Sequence, residues 1–277
     1  MEASGPRVRN AGARLLLVAL VLTLGGCRTG RLYPEPDAPR FADLAVDAPP
    51  SDGWRDTIRI VSFNVEYGQE VDSALAVLQG EPDLGAADLV LLQEMDEHGT
   101  RRIAEALGMA WVYYPAIYRH ATERNFGNAV LSRWPIEADT KLILPHRAIF
   151  GRTQRTATVA TVRIGRLPVR VYSVHLATPV NMALRDRRDQ MRAVLADART
   201  WPRVIIGGDF NDGRIPGMAA ERGYAWPTED GPRTVFFGRW DHIVVKGLDP
   251  LDDTSGTVLD TRTASDHRPV WAAVVVR

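Results

Sequence analysis

The sequence has one cysteine, Cys27, in 277 residues. No disulfide can therefore form within the chain, and an exported domain must be held by its own core. Lysine is nearly missing: only Lys141 and Lys246 occur, and arginine supplies the rest of the basic charge. Net charge is missing as well, with 34 basic residues against 34 acidic ones. The first 26 residues take three of the arginines (Arg7, Arg9, Arg14) and one acid (Glu2), so the remainder is slightly acidic. That balance excludes a protein held on nucleic acid by bulk charge. No apolar run is long enough to cross a bilayer as a helix, and no internal repeat is present. What the chain does have is 45% hydrophobic residues, enough for one large core.

Arg7, Arg9 and Arg14 precede the ten residues Leu15 to Leu24, a length that suits the apolar centre of a signal peptide. Leu24-Gly25-Gly26-Cys27 follows and resembles a bacterial lipobox. The resemblance implies cleavage before Cys27 and acylation of that cysteine, with residues 1–26 as the signal. Residue 28 is arginine rather than the aspartate associated with inner-membrane retention. The expectation is an exported, membrane-anchored lipoprotein at the outer membrane or on the periplasmic or extracellular face. Residues 27–56 carry Pro34, Pro36, Pro39, Pro49 and Pro50 and no apolar period, which reads as an extended tether. One domain is expected over 57–277.

That domain alternates strand and helix patterns. Strands are expected at 57–65, 88–93, 110–114, 128–132, 136–144, 156–164, 169–176, 203–207, 241–245 and 268–276. Helices are expected at 71–78, at 99–107 with Gly108 as C-cap, and at 179–200 opened by Pro179. The mixture predicts an α/β protein with mixed sheets covered by helices. Stretches 115–126, 145–155 and 212–239 are irregular and read as loops around a substrate.

Polar residues gather at the strand ends. The run Arg203 to Ile206 ends in Gly207-Gly208-Asp209-Phe210-Asn211, which delivers an acid and an amide two residues apart onto a sharp loop. The acid can deprotonate a water, and the amide can donate to a phosphate oxygen. Asn64 and Glu66 follow the first strand, Gln93-Glu94 the second, and His175 ends the strand from 169. Asp241 opens one C-terminal strand and Ser265-Asp266-His267 precedes the last. Such placement is what a site at one edge of the sheets needs.

Ser62-Phe63-Asn64-Val65-Glu66, Leu92-Gln93-Glu94, Gly127 to Ser132, Val174-His175-Leu176, Gly207 to Asn211, Trp240-Asp241-His242-Ile243 and Ser265 to Pro269 form an ordered set. With it the chain resembles the endonuclease/exonuclease/phosphatase superfamily over about 57–277. The resemblance implies a four-layer α/β sandwich, two packed mixed β-sheets with outer helices. It also implies a hydrolase of phosphoesters that depends on Mg²⁺ or Mn²⁺, most readily a phosphodiesterase acting on nucleic acid or a phospholipid head group. By the same resemblance Glu94 is the principal metal ligand with Asn64 beside it, and Glu66 and Asp266 are further ligands. Asp209 activates water, Asn211 binds the phosphate, and His267 faces it, held by Asp241. His175 stabilises the phosphate or protonates the leaving oxygen, but no acid is evident as its partner. Arg152 and Arg155 precede a strand and could reach a phosphate. His242 reads as structural. The chain is expected to be a monomer attached to the membrane through Cys27. The competing expectation is a surface binding or adhesion lipoprotein that keeps the fold without turnover.

Overall fold

The computed structural model describes residues 30–44 and 56–276. The expected signal peptide and Cys27 lie outside the described residues.

Eight strands build the larger sheet: β1 (Gly30–Leu32), β2 (Phe41–Asp43), β3 (Thr57–Asn64), β4 (Leu89–Met95), β5 (Ala110–Arg119), β6 (Arg124–Ser132), β12 (Asp249–Thr257) and β13 (Val270–Val275). Their order is β1-β5-β6-β4-β3-β13-β12, with β2 also paired to β5. The smaller sheet holds β7 (Ile136–Ile143), β8 (Thr156–Ile164), β9 (Leu167–His175), β10 (Val204–Asp209) and β11 (Asp241–Lys246), in the order β11-β10-β9-β8-β7. Five α-helices are described: α1 (Val71–Gly80), α2 (Pro82–Gly85), α3 (Glu97–Leu107), α4 (Leu184–Asp197) and α5 (Gly217–Ala220).

Alternation along the strands explains the layering. In β3, Ile58 and Ile60 enter the core shared with Val162, Ile205 and Ile243 of the other sheet. Val61 and Phe63 face the opposite way and pack with Val77 and Leu78 of α1 and Ile103 of α3. Strand β4 behaves alike, with Leu89 and Leu91 between the sheets and Val90 and Leu92 under the helices. In the smaller sheet Tyr172, Val174 and Ile206 pack under Met191, Val194 and Leu195 of α4. Both faces of the central strands are covered, so they read as nearly continuous apolar runs. Three cores separate four layers, the architecture expected above.

Three expectations change. Residues 30–44 are docked: β1 and β2 pair with β5. Phe41 lies against the Tyr113 ring, with centroids 6.0 Å apart. The buried ammonium of Lys141 donates to Tyr33 O at 2.9 Å and Ala38 O at 2.7 Å. A proline-rich stretch can run along a sheet rim because its missing N–H groups are not needed there. The long helix begins at Leu184; Thr178 to Met182 form a turn, and Ala183 is extended. The 115–126 stretch is mostly a long β5–β6 hairpin, and acidic β12 at the sheet edge was not foreseen.

Candidate active site

Topology brings the polar strand ends together. Strands β3 and β4 are parallel, as are β9 and β10, so the first sheet delivers Asn64 and Glu94 at its C-terminal edge, and the second His175 and Asp209. Strand β11 runs antiparallel to β10, which sets its first residue, Asp241, opposite Asp209. Strand β13 runs antiparallel to β3, so the residues before it, including His267, reach the same edge.

Asp209 sits at the centre and is 1% exposed. Its Oδ2 accepts from Asn64 Nδ2 at 3.2 Å and Asn211 Nδ2 at 3.1 Å. His175 Nε2 lies 3.4 Å from the same oxygen and His267 Nε2 3.8 Å from it. Oδ1 accepts the Asn211 backbone N–H at 2.8 Å. Burial pushes this carboxyl up to about 7, against the opposing pull of His267 and with Asp241 adding to the rise. The local backbone serves this convergence. Gly208 has φ +154°, and a Cβ there would stand 1.9 Å from Val174 O, so only glycine lets β9 and β10 approach this closely.

His267 has an acid partner. Its Nδ1 bonds Asp241 Oδ2 at 2.8 Å. Thr234 Oγ1 accepts from the Trp240 and Asp241 backbone N–H groups, and Ser265 Oγ accepts from the His267 N–H. Burial alone would lower the imidazolium, but the carboxylates of Asp241 and Asp209 outweigh it and raise it to about 10. His267 is thus a cation at neutral pH with Nε2–H turned to Asp209.

His175 has a different partner. Arg155 Nη1 lies 3.1 Å from His175 Nδ1. A guanidinium only donates, so Nδ1 accepts and the ring proton sits on Nε2. Burial, then the charges of Arg155 and His267, hold His175 well below the ordinary histidine range. It is a neutral donor, and its Nε2 faces Asp209 and, at 3.8 Å, Glu94 Oε1.

Glu94 accepts from Asn64 Nδ2 at 3.3 Å and from the Tyr67 N–H at 3.1 Å. Burial raises its carboxyl, against the charges of Arg155 and His267. It has φ +61°, where the β4–β6 register slips between Leu92 and Met95. Glu66, Tyr67 and Asn211 also have positive φ. Non-glycine residues in this region store strain, and here they surround one cleft. Glu66 Oε2 accepts the Asp266 N–H at 3.0 Å, so both sit at the cleft mouth, with Asp266 exposed.

Asn64, Glu66, Glu94, His175, Asp209, Asn211, Asp241, Asp266 and His267 therefore gather at this edge, whereas Arg152 is exposed and forms no hydrogen bond or ion pair with them. Two details differ from expectation. The Asn211 amide donates to Leu176 O and Asp209, so here it orients the central acid rather than standing free. The partner of His175 is an arginine; Arg155 was visible in the sequence, but nothing there linked it to residue 175. Arg187 of α4 is also buried here and donates to Asn211 O at 2.9 Å. His242 is buried against Trp226 and Phe210, in keeping with a structural role.

The family model described as "Endonuclease/Exonuclease/phosphatase family" matches residues 61–267. No curated protein matches the chain. Solved structures do. An endonuclease/exonuclease/phosphatase from Beutenbergia cavernae is 21% identical, with TM-score 0.64, over 80% of this chain and 72% of that one. The human Nocturnin catalytic domain with bound sulfate is 16% identical, with TM-score 0.60, over 80% and 96%. D. rerio TDP2 complexed with single-strand DNA product is 18% identical, with TM-score 0.59, over 79% and 99%. At these identities the likeness shows the fold.

Proposed function

Because the chain belongs to the endonuclease/exonuclease/phosphatase family, we propose that this cleft hydrolyses phosphodiesters with the help of a divalent cation, Mg²⁺ or Mn²⁺. One observation carries the reading: buried Asp209 and part-buried Glu94 meet a neutral and a charged histidine donor in one cleft.

The donor set fits a hard cation. Glu94 is a largely buried carboxylate whose ionised form burial disfavours, and its nearest basic group is neutral His175. A cation would relieve that cost. Glu94 and Asn64 would hold it, with Glu66 and Asp266 at the mouth. The ligand atoms of Asp209, Asp241 and His267 also lie within 4.8 Å of one another. That trio suits a metal less well, because His267 Nδ1 is already bonded to Asp241 and a charged imidazolium has no lone pair to give. When bound, the metal would neutralise phosphate charge and polarise its oxygens.

The protein's own groups do the rest. Asp209, raised to about 7, is matched to take a proton from water near neutral pH. His267 offers a charged Nε2–H to the phosphate, oriented by Asp241. His175 offers a neutral Nε2–H held by Arg155. Asn211 and Asn64 fix the Asp209 carboxylate. The TDP2 neighbour holds a single-strand DNA product, which supports nucleic acid as the first substrate to try. The test is a panel of single-stranded DNA, RNA, sphingomyelin, phosphoinositides and bis(p-nitrophenyl) phosphate, assayed with Mg²⁺ or with chelator. Turnover that appears with metal and vanishes with chelator is expected; no turnover of any member in either condition overturns the reading in favour of a binding protein.

We also propose that the enzyme works at a membrane through an acylated Cys27, on the strength of the Leu24-Gly25-Gly26-Cys27 motif. Fatty-acid label should enter the natural protein and be absent from Cys27→Ser; equal labelling of both would contradict it.

A further inference from the structure

Beside the carboxylates lies a cavity of about 260 Å³, lined by Tyr67, Arg119, Phe126, Phe150, Gln154 and Arg155 among others. We infer that it is a subsite for a second phosphate, borne by the nucleoside unit that adjoins the scissile ester. This rests on the phosphodiesterase reading above and adds the substrate class.

Position comes first. The cavity shares two residues with the catalytic cleft: Tyr67, whose N–H bonds Glu94, and Arg155, which bonds His175. A group seated there is adjacent to the scissile bond. The volume lies below the ~300–1,000 Å³ usual for a whole small ligand, so it suits one unit of a larger substrate.

Charge comes second. Two guanidiniums line the cavity: Arg155 feels the charges of Glu94 and Asp209, while Arg119 forms no ion pair with a carboxylate among the described residues. Both are held by rings. Arg119 lies over Tyr67 at 4.2 Å and near Phe126 at 5.6 Å, and Arg155 lies 5.8 Å from the Phe126 centroid. Stacking occupies the face of a guanidinium and leaves its in-plane N–H groups for an anion. Arg155 spends one of these groups on His175; Arg119 spends none on a carboxylate. A phosphate is the planar fork's natural complement.

The third feature is the apolar lip. Phe150 is 65% exposed and Ile149 69% exposed, while Tyr67 is 43% exposed. The exposed Phe150 ring beside the Arg119 guanidinium suits a base attached to a phosphate, because every base offers a face for stacking. An acyl chain would leave the guanidiniums unanswered, and a saturated inositol ring would not stack. The lip is anchored, since the Ile149 N–H bonds Asn181 O at 2.9 Å.

Two synthetic esters test the inference. Thymidine 5′-(p-nitrophenyl phosphate) and its 3′-phosphorylated form share one scissile bond and differ in the second phosphate. The natural protein should favour the 3′-phosphorylated ester in kcat/KM by about tenfold or more, the size expected of one charge-assisted contact. In Arg119→Gln the ratio of the two values should fall to about one. Phe150→Ala should raise KM for both esters and keep the ratio. Binding of thymidine 3′,5′-bisphosphate, measured by calorimetry without turnover, should weaken about tenfold in Arg119→Gln. That arm holds even if neither ester is cleaved, a result that would overturn the catalytic reading alone. A ratio near one in the natural protein, a ratio retained in Arg119→Gln, or tighter binding of an inositol bisphosphate than of the nucleotide overturns the inference.

Discussion

The two histidines of the cleft make the most instructive comparison in the molecule. Both are buried, both end or precede a strand, and both turn Nε2 toward Asp209. Burial pulls both toward the neutral form. Their partners at Nδ1 decide the outcome. Asp241 makes His267 a cation, and Arg155 keeps His175 neutral. One ring type thus yields a charged donor and an uncharged one within reach of a single carboxylate. The lesson is that a histidine's role follows from the group behind it, and that group is seldom its neighbour in sequence.

Removing the carboxylate of Glu94, the proposed metal ligand, should have the largest effect. Glu94→Gln keeps the shape but removes a charge, so turnover should fall by at least about 10²–10³-fold. Calorimetry should show weaker Mg²⁺ binding. Full activity in the variant would remove Glu94 from the site.

Next comes the charged half. Asp241→Asn should cut turnover by about 10²-fold or more, and His267→Ala at least as much. The double variant should lose hardly more than the worse single one, because the pair acts as a unit. Losses that multiply would separate Asp241 from His267 and erase the contrast with His175.

The smallest effect is on stability. His267 rises from 6.5 to about 10 on folding. A base raised by folding contributes stability that is present in full below about 6.5 and is lost as pH climbs through about 10. Asp209, raised to about 7, acts in the same direction at lower pH, since its ionisation is opposed in the folded state. Denaturation in chelator should therefore show stability falling from pH 6.5 to 9.5, by roughly a few kcal/mol at most. The slope should flatten in Asp241→Asn. Stability that rises over this range would contradict the charge assigned to His267.

How much of this the sequence disclosed follows from the range of each interaction. The layers were legible because a strand covered on both faces shows as an apolar run, as β4 and β10 do. The site was legible because its residues end such runs. Strand β12 was not, since an edge strand rich in aspartate carries no apolar period. The docking of residues 30–44 was hidden because it depends on Lys141, about a hundred residues away. The Arg155–His175 contact was hidden for a similar reason: β8 and β9 are adjacent, but sequence does not show which side chain of one meets which of the other. Asp241 and His267 could be proposed as a pair only through the family resemblance.

The claim that the two rings carry different charges can be observed directly. Nitrogen-15 and carbon-13 spectra of the metal-free protein, with each ring assigned from His175→Gln and His267→Gln, report the protonation of every imidazole nitrogen. At pH 7.5 the account predicts His267 protonated at both nitrogens and His175 protonated at Nε2 only, with the His175 pattern altered in Arg155→Gln. Two neutral rings, two charged rings, or a His175 proton on Nδ1 would contradict it.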